Sequence, residues 1–228
     1  MSKFIVQMHT HTAETSRCGH GTAKEMIEAA KECGIDAVVI TDHFFNANIR
    51  IDAEENLSWA QKVERQFLGY HLAKEVGDRI GVKVWQGWET FTKGPEYLTY
   101  GLGEAFLLKH PDIEKLPLRT YIDTVLEAGG YLIHAHPFRK ASYIPDFTPS
   151  IYGLTAVEVY NAGNGEEEWN ERALAFAKKY DLPMIGGSDA HRPENINTGL
   201  TVFDREIDDL FDLKKAIENG EARVVRQG

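Results

Sequence analysis

Short apolar runs alternate along this chain with segments of helical period, and nearly every run stops at a polar cluster. Residues 4–8, 37–40, 82–88, 97–102, 131–133, 156–160 and 183–187 read as strands, because short apolar runs bounded by turn residues suit buried strands. Between them, residues 22–33, 58–76, 118–128 and 167–180 place apolar side chains at helical spacing. The first helix opens at Thr22, where Glu25 completes a capping box, and Gly34 supplies a left-handed stop. Weaker strand-like segments at 201–203 and 223–225 bracket a helix over 208–219. Residues 12–21 form a polar loop, and residues 44–57 lose all period, a loop long enough to act as a lid.

A strand, a helix of about a dozen residues and a second strand make a βαβ unit, whose strands pair in parallel. Repetition of that unit with short right-handed connections predicts a closed or nearly closed parallel α/β barrel in a single domain, residues 1–228. An open doubly wound sheet is the rival architecture. The two differ in where chemistry collects: a barrel spreads its site over the carboxyl ends of several strands, whereas an open sheet concentrates it at one switch point.

The strand ends carry that chemistry. The first run closes on His9-Thr10-His11, the second on Thr41-Asp42-His43, the third on Glu89, the fifth on His134-Ala135-His136 and the seventh on Ser188-Asp189-Ala190-His191. Residues two apart on a strand share a face, so each His-X-His offers a pair of imidazoles. Each residue also has a structural reading: Asp42 as a turn cap, Glu89 as an exposed end, Asp189 as a loop-forming side chain. Five coincidences with five strand ends favour metal ligation. Imidazole and carboxylate donors suit Zn²⁺, Mn²⁺ or Fe²⁺, and so many of them exceed the needs of one tetrahedral ion, which implies two to three ions. His110, before Pro111 in a polar connection, reads as an exposed loop residue.

Composition narrows the function. With 228 residues, 43% of them hydrophobic, the chain can build one substantial core, and a net charge of −10 argues against a duplex nucleic-acid partner. Cys18 and Cys33 form neither a disulfide framework nor a zinc cluster and suit a reducing, cytoplasmic setting. No run approaches the ~18 apolar residues of a membrane span. Oligomeric state is not readable.

Together these motifs resemble those of the PHP (polymerase and histidinol phosphatase) family of metal-dependent phosphoesterases, over nearly the whole chain. The opening His-X-His is similar to His9 and His11, and the other motifs to Asp42-His43, Glu89, His136-Pro137 and Asp189 with His191. The resemblance implies a distorted (β/α)₇ TIM-like barrel. It implies that His9, His11, Glu89 and Asp189 hold one ion, that Glu89 bridges to a second near His136, and that His43 and His191 serve a third. Two departures stand out. The family's further histidine after the opening motif has only His20 as counterpart, and its fourth-strand histidine is replaced by Tyr100-Gly101-Leu102. His134, which shares a strand face with His136 by parity, is the substitute available from the sequence; the alternative is that it fills the barrel interior.

The expected chemistry is hydrolysis of a phosphorylated small metabolite or nucleotide by a metal-bound hydroxide at a di- or trinuclear site. Arg17, Arg139 and Arg192 stand beside the motif loops, and guanidinium forks suit phosphate oxygens. Two rival readings remain: an amidohydrolase-type metal hydrolase, which would commonly use a strand-end lysine not found here, and a noncatalytic metal-dependent binding module.

Overall fold

A computed structural model describes residues 3–52 and 55–227; Ala53 and Glu54 of the expected 44–57 loop lie outside the described residues. The elements run β1 (Phe4–Thr10), α1 (Ala23–Glu32), β2 (Ala37–Ile40), α2 (Trp59–Gln66), α3 (Leu68–Ile80), β3 (Lys83–Phe91), β4 (Glu96–Tyr100), α4 (Glu104–Lys109), α5 (Leu118–Glu127), β5 (Tyr131–Ala135), β6 (Leu154–Asn161), α6 (Glu167–Lys179), β7 (Met184–Gly187), β8 (Gly199–Phe203), α7 (Leu210–Glu218) and β9 (Arg223–Arg226). The strands form one sheet in the order β7-β6-β5-β4-β3-β2-β1-β8-β9. Just past β7, the Ala190 N–H donates to the His9 carbonyl and its carbonyl accepts from His11 N–H, so the far edge returns to β1 and the sheet nearly closes.

The closure is not all-parallel, which corrects the sequence expectation. β1, β2 and β3 pair in parallel, as do β5, β6 and β7, but β4 runs antiparallel to both neighbours, and β8 is antiparallel to β1 and β9. The reason lies between β3 and β4: only a tight turn through Lys93 (φ 58°) and Gly94 (φ 153°) connects them, far too short for a parallel crossover.

The expected 58–76 helix is two helices that break at Phe67. α3 passes so close over the 12–21 loop that a side-chain carbon on Gly69 would lie 2.0 Å from Thr12 Oγ1. The helix then runs on past Gly77 to Gly81, whose φ of 75° makes the left-handed cap.

Strand alternation divides the core. Phe4, Val6, Met8, Val39, Leu98, Tyr100, Ile133 and Ala135 fill the barrel interior, joined by Leu213, Ala216 and Ile217 of α7. Their strand neighbours Val38, Ile40 and Val84 face outward onto α1 and α3, and Trp88 and Leu132 onto the aromatic layer around Phe67 and Phe106.

Candidate metal centre

The site residues cluster at the carboxyl ends of the parallel strands because the backbone departs from regular geometry there. By parity, His9 and His11 belong with Ile5, which packs outward. A bulge between Gln7 and Thr10 inserts one extra residue into β1 and re-aims both imidazoles inward. Asp189 (φ 51°) and His136 (φ 27°) are left-handed, a conformation that carries strain for these residue types and recurs at functional sites.

Glu89, at the end of β3, sits at the centre and is 1% exposed. Its Oε1 lies 2.9 Å from His136 Nε2 and 3.3 Å from His9 Nε2, while its Oε2 lies 3.0 Å from His43 Nδ1 and 3.5 Å from His11 Nε2. Asp189 Oδ1 lies 3.2 Å from His11 Nε2 and 3.4 Å from His9 Nε2. The His11 ring is 4.4 Å from His43 and 4.3 Å from His191, centroid to centroid. Seven of the sequence candidates, His9, His11, His43, Glu89, His136, Asp189 and His191, therefore converge.

The other imidazole nitrogens are held by groups that fix each ring. His9 Nδ1 meets Glu158 Oε1 at 3.1 Å, and His191 Nδ1 donates to the Asp189 carbonyl at 2.8 Å. Ser16 Oγ donates to Asp42 and accepts from the His43 amide, so at 3.3 Å it is left to accept from His11 Nδ1. In those orientations each Nε2 faces the centre and would offer its lone pair there once unprotonated. His9 Nε2, His11 Nε2 and His43 Nδ1 are buried without a hydrogen-bond partner. Buried unpartnered nitrogens converging on carboxylates fit divalent cations. Groups of donor atoms within 4.8 Å of one another are His9, His11 and Glu89; His9, His136 and Asp189; Glu89, Glu96 and His136; and His11, His43 and His191.

The charges reinforce one another. Burial opposes protonation of His9, but Asp189, Glu158 and Glu89 outweigh it and hold its pKa well above the ordinary value. Burial, with His191 and His43 alongside, pushes His11 well below. Burial also works against the Glu89 and Asp189 charges, yet His9 and the groups around it keep both carboxylates ionised. Glu96 rises to about 7 through burial and the adjacent Glu89 charge, so cation binding there would release a proton.

Three residues escaped the sequence reading. Glu96 is the first residue of β4, and because β4 is reversed, its start rather than its end lies at the rim; its Oε2 is 3.6 Å from His136 Nδ1. Glu158 interrupts the apolar run of β6 and points inward, where it also accepts from the His136 amide at 2.9 Å. Cys18 lies with its Sγ 3.1 Å from His43 Nε2, and although burial raises its pKa, hydrogen bonds from His191 and His43 bring it down to about 6.

Two candidates do not join the cluster among the described residues. His20 is exposed, and only its backbone meets the site, its N–H donating to the His191 carbonyl at 2.7 Å. His134 shares neither a face with His136 nor the interior: it pairs with Tyr97 across the ladder and stacks on that ring at 4.8 Å, on the outer side. Parity fails because the ladder ends at Ala135 and the left-handed His136 turns back inward. Burial beside His136 takes the His134 pKa down to about 3.

Of the arginines, Arg139 reaches the centre, with Nη2 2.7 Å from Asp189 Oδ2 and 2.8 Å from Asn161 Oδ1. Arg17 points away and ties the loops together through Asp52 at 2.6 Å and the carbonyls of Ile49 and Ile51. Arg192 is exposed beyond the rim. A cavity of about 480 Å³ opens over Glu89, His136 and Arg139, and Asn46, Asn48 and Tyr143 form part of its wall.

Comparison with known proteins places this arrangement. The PHP domain model matches residues 7–127, and the PHP-associated model matches residues 167–222. A two-domain protein from Bacteroides vulgatus, described as containing a predicted PHP-like metal-dependent phosphoesterase, superposes with a TM-score of 0.73 at 17% identity over 99% of this chain. PsfC from Pseudomonas syringae superposes at 0.66, with 18% identity over 100% of this chain and 93% of its own. The lesion-specific endonuclease EndoQ of Pyrococcus furiosus superposes at 0.65, with 15% identity over 98% of this chain and 58% of its own. This chain spans 65% of the Bacteroides protein's length. No curated protein sequence matches. The likeness to the solved structures is one of fold, and no described helix is long and apolar enough to cross a membrane. With more than half its length matched by the family model and the donor cluster at the rim of a nearly closed barrel, the chain belongs to the PHP domain family.

Proposed function

We propose that this protein hydrolyses phosphate esters of a small metabolite or nucleotide at a centre of two to three divalent ions, drawn from zinc, manganese and iron. The observation that carries the reading is Glu89, whose two oxygens each face a different pair of imidazoles, the arrangement of a carboxylate shared between ions. His9, His11, Glu89 and Asp189 would hold the first ion, and Glu89, Glu96 and His136 the second. His43 and His191 would serve the third. Ions in such sites lower the pKa of bound water toward neutrality and neutralise charge on phosphoryl oxygens.

The chain's own groups do the rest. Glu158 fixes His9 in the tautomer that offers Nε2, as outer carboxylates commonly do for ligating histidines. Arg139, oriented by Asn161, Asn164 and Asp189, presents a guanidinium edge to the cavity, where it would pair with a phosphate oxygen and compensate an anionic substrate within this acidic chain. The cavity's size suits a small ligand, and Asn46, Asn48 and Tyr143 would contact the part of the substrate beyond the phosphate.

The test is a panel of phosphomonoesters, small phosphodiesters and amides, assayed with Zn²⁺, Mn²⁺ or Fe²⁺ restored after chelation. Turnover of phosphate esters that depends on added metal and is lost in Glu89→Gln supports the reading. Turnover of amides alone transfers the chain to the amidohydrolase reading, and metal uptake with no turnover across the panel favours a binding module.

A further inference from the structure

The seam that closes the barrel changes partners halfway up. At Val6 the neighbour of β1 is β8, paired at Thr201, and at Thr10 it is Ala190, just past β7. Between those levels the side chain of Gln7 stands in for the interrupted ladder. Its Oε1 accepts from the His9 N–H at 2.9 Å and from the Ser188 N–H at 3.1 Å. Its Nε2 donates to Ser188 Oγ at 2.6 Å, to the Gly199 carbonyl at 3.2 Å and to the Ile196 carbonyl. Gln7 is fully buried, and its one amide joins β1, the segment leaving β7 and the start of β8.

We propose that Gln7 is a positioning residue for the ion of His9 and Asp189, holding the backbones of these two ligands at the separation the ion requires. The proposal rests on the metal-centre reading above. One oxygen atom binds the N–H of His9 itself and the N–H of Ser188, the residue before Asp189. Beyond it, His9 Nε2 and Asp189 Oδ1 stand 3.4 Å apart. The bulge that re-aims His9 and His11 runs from Gln7 to Thr10, so the same side chain also secures the altered course of β1. Its orientation is dictated by its neighbours: backbone N–H groups only donate and carbonyls only accept, so the oxygen faces the former and the nitrogen the latter. Neither a carboxylate nor a hydrocarbon of the same length meets both demands. The seam has no slack at this level, since a side-chain carbon on Gly187 would lie 2.9 Å from His9 Cβ.

A second contact on the same seam supplies a comparison. Thr201, also fully buried, accepts at Oγ1 from the Gly186 N–H at 3.0 Å and donates to the Gly186 carbonyl at 2.9 Å. It ties β8 to β7 two residues before Ser188, without bonding the backbone of His9 or Ser188. A general loosening of the seam acts through either contact, whereas placement of the ligands acts through Gln7. Ion affinity measured on folded protein separates the two, because a change in global stability does not alter the affinity of a chain that is already folded.

The experiment compares the wild type, Gln7→Met and Thr201→Val as full chains. Urea denaturation of the chelator-stripped proteins should show both variants destabilised, as the loss of buried hydrogen bonds requires. In zinc titrations against a chromophoric chelator without denaturant, Gln7→Met should weaken the tightest binding about 10- to 100-fold, the range typical for losing a supporting contact around a metal ligand. Thr201→Val should bind zinc as the wild type does. Wild-type affinity in Gln7→Met, or equal weakening in the two variants, overturns the role of Gln7 and leaves the metal centre standing. Should Gln7→Met fail to fold, hydrogen exchange of the wild type decides. Zinc should then slow exchange of the His9 and Ser188 amide protons far more than that of Gly186, and equal slowing or none overturns the role. A wild-type chain that takes up no zinc overturns both the role of Gln7 and the metal centre.

Discussion

Replacing His134 by phenylalanine tests the placement of this residue outside the metal centre, with a magnitude that the structure sets. The imidazole is fully buried, lies between the rings of Tyr97 and Phe147 at 4.8 and 6.0 Å, and has no hydrogen-bond partner at either nitrogen. Burial and His136 lower its pKa from 6.5 to about 3. Between those values the unfolded chain binds a proton that the folded chain refuses, so stability falls as pH drops below about 6.5. At pH 7 this costs only about 0.2 kcal/mol, and at pH 5 about 2 kcal/mol, from the free energy of protonating an unperturbed imidazole. Phenylalanine keeps the stacking and cannot titrate. Urea denaturation of both chelator-treated proteins at pH 7, 6 and 5 should show the advantage of His134→Phe growing by about 2 kcal/mol over that range. Other titrating groups are common to both proteins and cancel in the difference. A difference that stays flat with pH, or a mutant that loses bound metal, refutes this placement.

Three further outcomes follow from the site. Glu158→Gln removes the carboxylate behind His9 and should weaken metal binding about 10- to 100-fold in a competition titration with a chromophoric chelator, the usual effect of losing an outer partner of a ligating histidine. Glu96→Gln should lower the metal content by about one ion per chain in elemental analysis while the His9, His11 and Asp189 end stays loaded; unchanged stoichiometry would remove Glu96 from the ligand set. Asp189→Asn should cost metal affinity and hydrolysis together with modest loss of stability. Asp189→Ala should in addition destabilise the fold, because it forces a left-handed alanine and leaves Arg139 without its carboxylate; equal melting temperatures for the two variants would count against that account.

The donor residues that converge were legible because they stand at the carboxyl ends of strands whose apolar runs are easily seen, and barrel topology gathers such ends at one rim. What was not legible depended on direction and on local backbone geometry. The sequence expectation looked at the end of β4 and found Tyr100-Gly101-Leu102, yet the short turn at Lys93 and Gly94 reverses that strand, so Glu96 at its start occupies the rim. The same turn could have warned against an all-parallel sheet. Period-two reasoning assigned His134 to the face of His136, and the left-handed backbone at His136 broke the period. That His20 turns outward while Cys18 faces His43 depends on the bonds from the 12–21 loop to the His191 carbonyl, contacts across some 170 residues that no local pattern encodes.

The return of the sheet onto β1 also has a consequence for how the protein is made. His9 and His11 leave the ribosome long before their partners on the closing segment, Asp189, Ala190 and His191. Until that later segment emerges, the growing chain displays several imidazoles and Glu89 without Asp189, the carboxylate that would complete the first proposed site. Tight metal capture would therefore await the segment after β7, and an ion held by both His9 and Asp189 would tie β1 to that segment. Such a long-range clip constrains the unfolded chain most where closure is entropically costly. Loss of metal should accordingly loosen β1 and the segment after β7 before the rest, a pattern that hydrogen exchange would reveal as early opening at the amino-terminal strand.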